Sequence, residues 1–351
     1  MTRAMVPASF GIAIAACVVL TPLMRKAAFK WGVVDRPAAN RPYKLHTEAM
    51  PLLGGASILA AIALASIWTG AWRGLAGIAL GVVLLTVIGL LDDAWDIPLS
   101  VRLGAEVLAA VVAVVLGFQA DATGVSMIDF VISVVWIVGI TNAVNVIDNC
   151  NGITAGTVAL ASAALSLVAL FEGQMAIAVI AASTAGASLG FLPFNFPKAQ
   201  IFLGDAGTLP MGFLVAIVGL ETDISVGIPW GFAVPVCILA LPIVNTMVVS
   251  VHRIRVGQPI YVGGVDSLWH RLVLLGLSRS AAVIVLLMTA AIAGATATAA
   301  AMEVAPRALP LVALVVVGLA GLGLLGVPIA ASPTTLTEDS TLTPAPGMER
   351  S

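Results

Sequence analysis

Apolar residues run along this chain in long stretches, most of them close to the about 20 residues that a helix needs to cross a bilayer. Eleven stretches predict eleven spans, at 6–24, 52–70, 74–91, 101–118, 125–143, 153–171, 174–193, 207–220, 228–250, 280–300 and 307–330. The eighth is the shortest. Few residues separate many of them, which leaves no room for a soluble domain, so the pattern predicts an all-α, polytopic membrane protein with one transmembrane domain over 1–330. The remainder, 331–351, is rich in Thr, Pro and Ser and reads as a disordered tail. The first stretch is long for a signal-peptide core and lacks a small-x-small cleavage site, so it reads as a retained span.

Composition supports this picture. Of 351 residues, 60% are hydrophobic and only 10% charged, against roughly a quarter charged in soluble domains. A net charge of −2 with no basic tail gives no footprint for nucleic acid. Cys17, Cys150 and Cys237 are dispersed, which argues against a disulfide framework or a zinc site.

Lysine and arginine set the expected orientation. One set of alternate loops, with the tail, holds 13 of the 16, and the opposite set holds only Arg3, Arg73 and Arg307. The rich side is therefore predicted to be cytoplasmic, with the N-terminus outside, the C-terminus inside, and the protein in the cytoplasmic membrane. The polar signatures fall on the same side, at span ends. That distribution favours chemistry at the interface over a transport pathway, whose polar groups commonly lie at mid-membrane.

The third span ends in adjacent carboxylates, Asp92 and Asp93, followed by Asp96. Carboxylates in hydrocarbon are costly, and two side by side repel, so a cation or a basic partner would relieve them. A helix stop that only marks the aqueous boundary is the plainer alternative. After the fifth span, Asn142, Asn145 and Asp148 would share a helical face if the helix continues. In Gly204-Asp205-Ala206-Gly207, a carboxylate lies between glycines ahead of an apolar span. Glycine allows close backbone approach to a phosphate, and the helix N-terminus behind it favours anions. Asp205 would repel a phosphate without a metal between them, so it is the first choice as Mg²⁺ ligand, with a plain helix cap as the alternative. Arg41, Lys44 and His46 in the first loop could hold a phosphate or serve only as topology determinants.

Taken together, Asp35-Arg-Pro, Arg41, Lys44-x-His46, Gly54-Gly55, Asp92-Asp93, Asn142-Ala-Val-Asn145 to Asp148, Asn195-Phe, Phe202-Leu-Gly-Asp205-Ala-Gly207 and His270-Arg-Leu resemble the motifs of the polyprenyl-phosphate N-acetylhexosamine-1-phosphate transferases. The resemblance covers roughly residues 30 to 280. It implies an enzyme that transfers sugar-1-phosphate from a UDP-N-acetyl sugar, with UDP-N-acetylglucosamine the first expectation, to a polyprenyl phosphate, releasing UMP. It implies Mg²⁺, with Mn²⁺ as a substitute, and is compatible with a homodimer. Carried over by position, Asp92, Asp93 and Asp148 are the catalytic expectation. Asp205 with Asp93 is the metal set, and Lys44, His46, Asn145, Asn195 and His270 contact substrate.

The chain departs from the family pattern in three places. Asn151 stands where a carboxylate is usual, Asn245 likewise, and Ser267 and Trp269 stand where imidazoles are common. A non-catalytic relative that binds lipid phosphate or nucleotide as a scaffold is the alternative these departures leave open. A transporter is the more remote one.

Overall fold

The computed structural model describes residues 1–36, 48–71, 75–121, 123–222, 230–261 and 263–329. The expected site residues Arg41, Lys44 and His46, and the 331–351 tail, lie outside the described residues. Each of the eleven predicted spans coincides with a helix. In chain order these are α1 (Met5–Trp31), α2 (Gly54–Thr69), α3 (Ala76–Trp95), α4 (Leu99–Val115), α5 (Ser126–Ile147), α6 (Ile153–Phe171), α7 (Met175–Asn195) and α8 (Asp205–Glu221). The ninth stretch is a broken pair, α9 (Trp230–Ile238) and α10 (Ala240–Arg255), bent by 73°. A short helix, α11 (Leu268–Leu274), was not expected, and α12 (Arg279–Ala301) and α13 (Leu309–Leu324) follow. Six of these are long and apolar enough to cross a membrane on length and hydropathy alone, and seven if the bent pair is one span.

The chain is a multi-pass membrane protein, and its outer faces show it. On α3 the residues Leu80, Val83 and Val87 are exposed, as are Val131 and Val135 on α5 and Met288 and Ile292 on α12. Such spacing places each set on one helix face, and only lipid can cover apolar faces of this extent. At the centre stands α8, buried without interruption from Ala206 to Gly219. A helix apolar on all sides is surrounded by other helices, and α8 packs chiefly against α3 and α5, with α2, α6 and α7 beside them.

Small residues let the central helices close on one another. A Cβ on Gly55, at the start of α2, would collide with the Gly207 backbone and come within 2.9 Å of the Leu203 carbonyl oxygen. The paired glycines therefore serve helix packing, whereas the sequence reading had given Gly207 to a phosphate. Gly55→Val should lower the unfolding temperature of the detergent-solubilised protein, because overpacking a tight contact costs about 1–3 kcal/mol or more. An unchanged melt would show that α2 can move away from α8 freely.

A two-residue antiparallel pairing, β1 (Val34–Asp35) with β2 (Met50–Pro51), ties together the ends of the first polar loop. Backbone bonds from Gly54 to Phe202 and from Gly55 to Leu203 then fasten that loop to the segment ahead of α8. As a result, the ends of α3, α5 and α7 and the starts of α2, α4, α6 and α8 meet at one end of the bundle.

Candidate active site

The site is built around the first turn of α8. Gly204 precedes it with φ of +70°, a left-handed conformation that L side chains rarely adopt, and a Cβ there would strike Asp93. That space lets Asp93, from the last turn of α3, reach the exposed amides of α8. Its Oδ1 accepts from the Asp205 N–H at 2.9 Å and its Oδ2 from the Ala206 N–H at 3.1 Å. A helix N-terminus carries unsatisfied donors and a partial positive charge, so a carboxylate suits it. The anion expected at this helix end is thus the protein's own Asp93. Both of its oxygens are engaged by backbone, which moves it from the expected metal and catalytic set towards a role in aiming Asp205.

Asp205 itself projects from that turn into a polar network. Asn145 donates to Asp205 Oδ1 at 2.8 Å and to Thr208 Oγ1 at 2.9 Å. The Arg102 Nη1, from the first turn of α4, lies 3.2 Å from Asp205 Oδ2 and 3.2 Å from Asp92 Oδ2. Asp92 also accepts the Ile97 amide at 3.0 Å, which fixes the turn between α3 and α4. One turn along α4, Glu106 is 1% exposed, 3.6 Å from Arg102 Nε, and hydrogen-bonded by the Asn142 amide. Two of the three residues expected on one face of α5, Asn142 and Asn145, point into this cluster, whereas the helix stops at Ile147 and leaves Asp148 off that face.

Asp148 ends α5 and stays solvent-accessible. The next residues dock α11. Asn149 Oδ1 accepts from the Trp269 indole and, at 3.3 Å, from Ser267 Oγ. Asn245 Oδ1 accepts the Leu268 amide at 3.0 Å. Two of the three departures from the family pattern, Trp269 with Ser267 and Asn245, thus belong to one hydrogen-bonded joint. Asn151 donates separately to the Pro197 carbonyl at 3.2 Å.

Two expected substrate contacts prove to be internal. Asn195 accepts from the Gly152 amide at 2.7 Å and donates to the Ile201 carbonyl at 2.9 Å, so its amide braces the loops on either side. His270 is buried against Trp269, with Nδ1 2.7 Å from Ser267 Oγ. Burial and the nearby Arg279 and Arg271 push its pKa down to about 3, so it is a neutral imidazole and offers no charge to a phosphate. Conversely, Arg102, Glu106 and Thr208 are central here without having been singled out as site residues. The signal for the first two was a charge pair four residues apart inside an apolar run, and ionisable residues in spans are functional by default.

Asp92 and Asp205 are the carboxylates that could hold a divalent cation. Among the described residues no three His, Cys, Asp or Glu side chains form a ready cage. Mg²⁺, however, takes one or two carboxylates and completes its shell with water and substrate phosphates. Asp92 and Asp205 already turn an oxygen each towards one positive atom, the Arg102 Nη1. Asp92, Asp205 and Glu106 face that single guanidinium, an excess of carboxylates over cations.

The family model described as glycosyl transferase family 4 matches residues 75–223, the part that carries Asp92, Asp93, Arg102, Asn145, Asp148 and Asp205. Over 292 residues the chain is 30% identical to a Bacillus subtilis (strain 168) protein named "Probable undecaprenyl-phosphate N-acetylglucosaminyl 1-phosphate transferase", covering 79% of this chain and 80% of that one. It is 25% identical over 283 residues to the undecaprenyl-phosphate alpha-N-acetylglucosaminyl 1-phosphate transferase of Escherichia coli (strain K12), covering 76% of each. A phospho-N-acetylmuramoyl-pentapeptide-transferase of Limosilactobacillus fermentum is 33% identical over 189 residues, 48% of this chain and 59% of that one.

Proposed function

Because the chain belongs to glycosyl transferase family 4, we propose that it transfers an N-acetylhexosamine 1-phosphate from a UDP-sugar to a polyprenyl phosphate. UDP-N-acetylglucosamine is the first choice of donor, since that sugar appears in the names of relatives aligned over about three quarters of the chain or more. The observation that carries the reading is the convergence of Asp92 and Asp205 on one cation-sized point at the start of a buried helix. The distribution of lysine and arginine supports a cytoplasmic position for that end, where a soluble nucleotide can meet a lipid headgroup.

In the proposed reaction an oxygen of the lipid phosphate attacks the β-phosphorus of the UDP-sugar. The bond from that phosphorus to the bridging oxygen breaks, and UMP departs with the electron pair. Asp205 and Asp92 would hold Mg²⁺, which supplies neutralisation of the diphosphate and of the charge growing on UMP. Asp93 keeps Asp205 aimed by fixing the turn it stands on. Asn145 holds the Asp205 carboxylate from the other side and is itself fixed by its bond to Thr208 Oγ1. Asp148, exposed just past the end of α5, is placed to accept the proton of the lipid phosphate.

The purified full chain with UDP-N-acetylglucosamine, undecaprenyl phosphate and Mg²⁺ should release UMP and an equal amount of lipid-linked sugar diphosphate. If no member of a panel of UDP-sugars yields UMP above the background without lipid, the transferase reading is wrong. The non-catalytic binder would then take its place.

A further inference from the structure

Arg102 presents a contradiction that the transferase reading does not resolve. Its Nη1 stands 3.2 Å from Asp92 and 3.2 Å from Asp205, in the position a divalent cation would need. The same guanidinium is poorly served on its other edge. Arg102 Nε and Glu106 Oε1 are both buried and neither has a hydrogen-bond partner, although they face each other at 3.6 Å. Buried charged groups left unsatisfied are costly, and here a small movement of one side chain would satisfy both. With Arg102 19% and Glu106 1% exposed, water offers little relief at the glutamate.

We propose that Arg102 is a displaceable internal counter-ion: it bridges Asp92 and Asp205 and shifts onto Glu106 when a divalent cation binds between them. This inference rests on the assignment of Asp92 and Asp205 as cation ligands. Arg102 is a positioning residue in this account. It holds two neighbouring carboxylates together, so the seat does not spring apart by repulsion. Glu106 is the second seat, kept in line by the Asn142 amide. Cation affinity is then a competition, reduced by the fraction of molecules in which Arg102 is seated.

The test is Mn²⁺ binding by the detergent-purified full chain without substrate, read as free Mn²⁺ by electron paramagnetic resonance. R102Q removes the competitor and should bind Mn²⁺ about tenfold more tightly or better, the scale set by losing one charge-assisted contact. E106Q keeps a hydrogen-bond acceptor for Asn142 but weakens the receiving seat, so it should bind severalfold more weakly than the wild type. The double variant should behave as R102Q, since Glu106 acts only through the arginine. Effects of opposite sign from two neighbours would not follow from a general loss of structure. If R102Q does not fold, E106Q reads the same equilibrium from the other side. Unchanged or weaker binding by folded R102Q, or no effect of E106Q, overturns the displacement while leaving the ligand assignment intact. Absence of Mn²⁺ binding in wild type and all variants overturns the ligand assignment and this inference with it.

Discussion

Asp205→Asn should slow UMP release at least about 100-fold, the usual scale for removing one group that stabilises developing charge, while leaving the fold in place. The asparagine has the same shape and can still accept from Asn145 and sit on the α8 turn that Asp93 holds. It loses the negative charge that attracts a cation. It also relieves repulsion from Asp92, so melting in the absence of metal should be unchanged or slightly higher. Parallel measurement of UMP release and of the unfolding temperature separates the two effects. Near-normal turnover by the variant would mean that the diphosphate is held elsewhere, and the roles given to Asp92, Asn145 and Thr208 would fall together.

The second large effect lies away from the carboxylates. Arg253, near the end of α10, makes a two-pronged pair with Asp266, Nε to Oδ2 at 2.7 Å and Nη2 to Oδ1 at 2.9 Å. Its third edge donates to the Ile260 carbonyl. Both side chains are almost fully buried, 8% and 7% exposed. Arg253→Met leaves Asp266 charged and unpaired in a buried setting, which costs about 3–5 kcal/mol. The expected result is a large fall in the unfolding temperature. A folded but inactive fraction should appear first, because Asp266 immediately precedes the joint made by Ser267, Trp269 and Asn149. Restoration by Asp266→Leu in the Arg253→Met background would confirm that the orphaned charge is the cause. A melt shifted by less than that of an ordinary surface substitution would show that water reaches the pair.

Hydropathy alone was enough to place the helices, because a bilayer demands long apolar runs and the chain has little else. Even the broken ninth span kept its full apolar length, so its 73° bend at Leu239 left no gap in the pattern. The site was half legible. Asp92, Asn145 and Asp205 stood out as polar residues at the ends of apolar runs, and the structure brings them into one network. Asp93 looked equivalent to Asp92, yet its function is set by contacts 112 and 113 residues away, which no local pattern encodes. Arg102 was counted among the charges that orient the protein. Only the folded chain shows that its guanidinium turns inward to two carboxylates. Asn195 was read as a ligand contact because amides recognise nucleotides, but an amide serves equally to close two backbone ends. Local sequence cannot tell those uses apart.

Arg271, fully buried on the docked α11, donates to the Leu324 and Val327 carbonyls at 3.1 and 3.2 Å, where α13 ends. The last span is thereby clasped to the segment that carries His270 and abuts Asp148. A tag or fusion placed past residue 329 leaves the clasp whole, whereas trimming back beyond Val327 strands a guanidinium inside the protein. What looks like an outlying anchor helix is in mechanical terms a strut for α11.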